Sequence, residues 1–197
     1  MPSFGDLGAN RPMKHPSSRR FLAYWDEQRG GERAPERGNL DPGPIREILG
    51  DSFVLACAKT TGPLFRVAGT RACALFGRDL KGDALMPLIA PNDRGDVEGM
   101  ISVASDELLV AVAGLKGRDS HGSNVALELL LLPFSPRANT PANVAGILAP
   151  LTACQGRIGQ MELTSFRYLA HPPRKFRPRP LRKSYPAHGL TVYEGRT

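Results

Sequence analysis

From Phe53 to Ala58 every side chain is apolar: Phe-Val-Leu-Ala-Cys-Ala. Six residues is a usual strand length, and successive strand side chains point to opposite faces. An all-apolar strand therefore needs cover on both faces. Any fold for this chain must hold a sheet between two layers. Thr60-Thr61-Gly62-Pro63 follows as a turn. Leu64 to Thr70 then reads as the second strand of a hairpin. Its alternation puts Phe65, Val67 and Gly69 on one face and Leu64, Arg66 and Ala68 on the other.

The second half returns to strands. Leu108 to Lys116, Asn124 to Phe134 and Asn143 to Leu151 are rich in Val, Leu and Ile, with the polar loop Asp119-Ser120-His121-Gly122-Ser123 between the first two. Val125, Leu127, Leu129 and Leu131 share one face, and Glu128 lies on the other. Met161 to Leu169 either adds an edge strand or packs as an extension. Short helical pieces fill the middle: Arg71 to Phe76, stopped by Gly77; Asp83 to Ile89; and one opened by Pro91 and Asn92 with an apolar stripe through Val97, Met100, Ile101, Val103 and Ala104.

Ahead of the first strand, Ser17 or Ser18 caps a helix that starts near Arg19 and ends at Gly30-Gly31. Phe21, Leu22 and Trp25 fall on one side of it. Asp41 caps a second short helix. Hairpin, helical crossover and meander together predict an α+β fold. Its antiparallel sheet has about five strands, with short helices on one face and the Trp25 helix outside the other.

The chain has 197 residues, 41% hydrophobic and 23% charged, enough for one domain with extensions. No apolar run approaches the ~20 residues that span a bilayer, and residues 1–20 lack the apolar region of a secretory signal. A cytoplasmic location follows by default. Cys57, Cys73 and Cys154 have no paired spacing and sit among apolar residues, which reads as buried thiols and no metal site. The net charge of +7 is uneven. Seven basic residues and one acid, Glu194, follow His171, a balance of +6 that leaves +1 for all the rest. The expected divisions are a flexible leader (1–16), a folded domain (17–170) and a basic, Pro-rich, disordered tail (171–197).

Two stretches carry a resemblance. The first is Tyr24-Trp25 with Arg29-Gly30-Gly31, Pro35, Arg37 and Asp41-Pro42. The second is Phe65-Arg66-Val67-Ala68-Gly69-Thr70 with Leu75-Phe76-Gly77-Arg78-Asp79-Leu80-Lys81-Gly82. Together they resemble the small bacterial PAS-like proteins of the fifth PAS subgroup, over roughly residues 19 to 170. The resemblance implies a PAS fold and a sensory or regulatory module, without a ligand or a reaction.

PAS relatives often hold a cofactor, and the residues allow a test. The place of the flavin-reactive cysteine after Gly77-Arg78-Asp79 is taken by Leu80, and no histidine lies between Arg71 and Ser105, where haem-binding relatives supply one. No cofactor is expected, while an unidentified small-molecule ligand remains open. Arg66 interrupts an apolar strand, so it is either an anion clamp for a carboxylate or phosphate or half of a structural pair with Asp41, Glu27 or another acid of the N-terminal segment. Arg78 either closes a pocket mouth or is an exposed charge. Thr70, Phe76 and Met100 complete the candidate ligand residues.

No catalytic residue is assigned. Asp93, Asp96 and Glu98 suit a helix dipole as well as acid–base work, and Ser120-His121 are adjacent, which a triad is not. Phe21, Leu22, Tyr24 and Trp25 either dock the helix on its own sheet or form a partner interface, with a homodimer or a regulatory protein as the partner. Arg174, Lys175, Arg177, Arg179, Arg182 and Lys183 are the candidate tail contacts. Two functions follow: a sensory or regulatory PAS-type module that binds a small molecule or a partner protein, and a nucleic-acid-associated regulator that uses the tail. The first is favoured, and no enzymatic activity is expected.

Overall fold

The computed structural model describes residues 13–58, 60–136 and 142–169, with backbone alone at residue 39 and in Arg182–Ser184 and Val192–Glu194. Helix α1 (Pro16–Arg29) leads to a 3-10 stretch (Gly43–Asp51), then β1 (Ser52–Ala58), β2 (Gly62–Ala68), α2 (Thr70–Phe76) and α3 (Arg94–Asp106). Strands β3 (Val110–Asp119), β4 (Asn124–Pro133), β5 (Ala142–Pro150) and β6 (Ile158–Leu169) follow. Two three-residue strands, β7 (Arg182–Ser184) and β8 (Val192–Glu194), pair with each other.

The main sheet is antiparallel, in the order β2-β1-β5-β4-β3-β6. It has six strands where about five were expected. The sixth is β6, which starts at Ile158, three residues before the apolar alternation that marks it. It pairs with β3 from Val110 to Asp119 across two register shifts. Such shifts blur the period-2 signal by which a strand is recognised.

β1 is covered on both faces, as its composition demands. Phe53 and Leu55 lie in the inner cluster with Phe65, Phe76, Met100 and Leu129, and Val54 packs against the outer one. The outer cluster gathers Phe21, Tyr24 and Trp25 of α1 with Ile45, Val112, Leu130 and Ile147. Helix α1 starts earlier than expected, at Pro16, with His15 as its cap: Nδ1 accepts the Ser17 N–H at 3.2 Å. Ser17 and Ser18 are buried inside the first turn and do not cap it.

The hairpin strand β2 departs from simple alternation. Val54 pairs with Val67 but Leu55 pairs with Phe65, so Arg66 is an extra residue in a bulge. Phe65 and Ala68 therefore both face the inner cluster, and Val67 turns out to 47% exposure. Alternation had put Phe65 and Val67 on one face; the inserted residue breaks that parity.

Both sheet edges are blunted. On β2 the Phe65 N–H donates to Asp83 O at 2.9 Å and Phe65 O accepts the Gly82 N–H at 2.7 Å. On β6 the Met161 carbonyl accepts the Ala90 N–H at 2.8 Å, and Asp93 Oδ2 accepts the Leu163 N–H at 2.8 Å. These contacts occupy groups that would otherwise template another strand.

Candidate functional site

Asp51 ends the 3-10 stretch immediately before the buried strand β1. Gly69 brings α2 to it. The Gly69 N–H donates to Ser52 O at 2.7 Å, and a Cβ at Gly69 would lie 2.1 Å from Leu49 O. Only glycine permits that approach, and it sets Arg71 against Asp51. Arg71 Nε donates to Oδ1 at 2.6 Å and Nη2 to Oδ2 at 2.9 Å, while Nη2 also reaches Glu47 O at 2.8 Å. Ser17 Oγ of α1 donates to the same Oδ2 at 2.7 Å. One carboxylate thus joins α1, the 3-10 stretch and α2. Burial pushes its pKa up, but the hydrogen bonds from Arg71 and Ser17 outweigh burial and hold the carboxyl below its ordinary value.

The start of α1 is fixed to the sheet by a second buried carboxylate. Glu128, in the middle of β4, accepts the backbone N–H groups of Lys14 at 2.7 Å and His15 at 3.0 Å. Both amides lie just ahead of the helix, and an anion placed there also suits the positive end of the helix dipole.

Across from Arg71 runs the segment after β5. Thr152 Oγ1 accepts the Ala126 N–H at 3.0 Å, and Cys154 Sγ donates to Gly156 O at 3.4 Å. Asp119 anchors this segment through the Gln155 N–H at 3.1 Å, while also accepting the N–H groups of His121 and Ser123. Between the two walls lies an open cleft of about 450 Å³, lined by His15, Asp51, Arg71, Leu75, Thr152 and Cys154 among others. Desolvation and the Asp119 charge raise the Cys154 pKa, which keeps the thiol protonated and a poor nucleophile.

A second cleft, about 550 Å³, opens between the β1–β2 hairpin and α3, with Cys57, Glu98, Ile101, Ser102 and Asp106 in its walls. Burial, helped by Asp106, pushes the Cys57 thiol up to about 11. Residues 59 and 137–141, next to this cleft in sequence, lie outside the described residues. Among the described residues no group of three His, Cys, Asp or Glu side chains forms a metal-ligand cluster.

The residues singled out from sequence do not converge. Phe76 and Met100 are buried together in the inner cluster. Arg66 is exposed on its bulge, so the buried cation that motivated an anion clamp is not there. Thr70 is exposed at the first position of α2. Arg78 forms an ion pair with Asp83. In α1, Phe21, Tyr24 and Trp25 are buried on the sheet and Leu22 is half-buried against the same cluster. Trp25 is 0% exposed, and its Nε1–H donates to Pro133 O at 2.8 Å. The apolar stripe is thus packed within the chain and is not an open interface. Arg174, Lys175, Arg177 and Arg179 lie outside the described residues, and Arg182 and Lys183 are described in backbone only.

The cleft residues His15, Asp51, Arg71, Thr152 and Cys154 were not singled out as a site from sequence. They come from four separate segments. The one local signal was Asp51, an acid two residues before the all-apolar run Phe53 to Ala58.

A family model for the PAS domain matches residues 13–149. The chain belongs to the PAS domain family. The match begins at Met13, so it takes in the whole of α1 and the Asp51–Arg71 joint, and it ends one residue short of the end of β5. Strand β6 and the far wall of the cleft lie beyond it. Among curated proteins none matches the chain.

Proposed function

We propose that this PAS domain is a sensory or regulatory module, not an enzyme, that takes a small molecule in the Arg71 cleft and signals through protein contact. The observation that carries this is the Asp51 joint. A ligand that hydrogen-bonds Arg71 shares its guanidinium with Asp51 and weakens that pair, and Asp51 also holds Ser17 of α1. Occupying the cleft therefore loosens the start of the helix that covers the outer face. Release of α1 presents the outer-face apolar side chains to a partner, either a regulatory protein or a second copy. The test is amide exchange on the full chain with and without a ligand found by thermal-shift screening. Faster exchange across Pro16–Arg29, with the inner strands unchanged, supports the mechanism; uniform protection everywhere counts against it.

A second function rests on charge alone. The basic residues after His171 give that segment +6 against +1 for the rest. Contact with nucleic acid through about six phosphates predicts weak, sequence-tolerant binding with a log–log salt slope of about −5. Binding that survives deletion of residues 171–197 removes this second function.

A further inference from the structure

The polar groups of the Arg71 cleft divide sharply into used acceptors and free donors. Both Asp51 oxygens are occupied, Oδ1 by Arg71 Nε and Oδ2 by Arg71 Nη2 and Ser17 Oγ. Thr152 Oγ1 accepts the Ala126 N–H, which leaves its O–H to donate. His15 Nδ1 accepts the Ser17 N–H, so in the neutral ring the proton sits on Nε2, which has no partner among the described residues. Arg71 uses Nε and Nη2 and leaves Nη1 without a partner among the described residues. Three side chains from three parts of the chain thus each hold a donor in reserve at one cleft.

Three of the roughly four acceptor positions of the Asp51 carboxylate are taken, so a head group that accepts finds more partners there than one that donates. The remaining wall is apolar, with Leu75, Ala74, Pro150 and Ala153. We propose that the cleft binds a small aliphatic monocarboxylate. Its head would accept from Arg71, His15 and Thr152, and its chain would lie on the apolar wall. A monoanion is favoured over a phosphate dianion because the cation of the cleft, Arg71, is already paired with Asp51 at 2.6 Å, so every negative charge on a ligand is opposed by the Asp51 carboxylate and two are opposed more than one.

This rests on the sensory function proposed above, and the test separates the two. Full-length protein is titrated with hexanoate, hexanamide and hexylamine, which share one apolar body and differ in the head group, and is followed by amide chemical shifts and by exchange of α1. Hexanoate should saturate and bind at least tenfold more tightly than hexanamide. Its shifts should centre on residues 15, 71 and 152, and hexylamine should cause none there. Thr152→Val, on the exposed rim, should weaken hexanoate severalfold, and because it also removes the acceptor of the Ala126 N–H a small fall in Tm is expected with a spectrum otherwise like the parent. Arg71→Gln should weaken it further; a spectrum otherwise like the parent shows that the fold survives.

Equal binding of amide and acid, tighter binding of the amine, or no saturable shift with any probe overturns the monocarboxylate assignment. If hexanoate binds at these residues while α1 exchange is unchanged, the ligand class stands and the sensory mechanism fails. If a different ligand class loosens α1, the reverse holds.

Discussion

The two faces of the sheet are covered in different ways. The inner face is packed by α2, α3 and the turn at Met86–Leu88, which contribute Leu75, Phe76, Leu88, Val97, Met100, Ile101 and Ala104 to one cluster. The outer face is covered by α1 and the 3-10 stretch, with Phe21, Tyr24, Trp25, Ile45 and Ile48. Its helix is also tethered by hydrogen bonds: Trp25 to Pro133, the His15 and Lys14 amides to Glu128, and Ser17 to Asp51. Apolar burial spread over several elements is lost only when the layer unfolds. A helix tethered at a few named points can be loosened by acting on one of them. The proposed output from the outer layer, with the inner layer as a fixed base, rests on that asymmetry.

Trp25→Ala is the strongest test. Removing a fully buried indole costs about 3–5 kcal/mol, and its hydrogen bond to Pro133 goes with it. Denaturant unfolding should show the loss. Amide exchange should rise first in α1, while β3, β4 and β5 keep their protection relative to global unfolding. If all strands lose protection together with α1, the two layers are one cooperative unit and the asymmetry has no dynamic meaning.

Asp51→Asn should have a smaller effect, about 1–3 kcal/mol, because Arg71 is half-exposed and water takes over part of its hydrogen bonding. The pH dependence has a definite sign. The folded Asp51 carboxyl lies below its ordinary value, so its stabilisation is full above the unfolded value of about 4 and is lost as pH falls through the folded one. The variant should therefore lose less stability than the parent on acidification below about pH 4. Parallel curves in that range would show that Asp51 is not selectively ionised by the fold. A double-mutant cycle of Asp51→Asn with Ser17→Ala should show coupling, since both act on one hydrogen bond.

Much of this architecture was legible in the sequence because it rests on local pattern. The all-apolar β1 required two layers, and the Trp25 stripe named the helix that supplies one of them. What was not legible depends on single insertions or on long-range meetings. The Arg66 bulge is one extra residue, and nothing in the alternation of Leu64 to Thr70 marks it. The Asp51 joint unites positions 17, 51 and 71, and the cleft adds 152 and 154. No spacing rule links residues on separate elements, so a site made of them appears only once the sheet order is known. Arg66 was chosen because a cation in an apolar strand implies burial, and the bulge that turns it outward removes the premise.

Phe166→Ser should have the smallest effect. Phe166 lies on β6 beyond the part of that edge covered by Ala90 and Asp93, 45% exposed, and meets Tyr168 edge-on at 5.9 Å. An exposed site away from the buried joints changes stability by about 0.5 kcal/mol or less, and the lost ring contact adds about the lower end of an aromatic pair, ~0.5 kcal/mol. If the outer layer is where partners act, this ring is peripheral. Serine should then leave thermal stability, α1 exchange and sedimentation nearly unchanged, in contrast to Trp25→Ala. A Phe166→Ser protein that sediments as a smaller species than its parent would place the self-association surface on the β6 edge. That result would take the output function away from α1 and overturn the division of roles between the two faces.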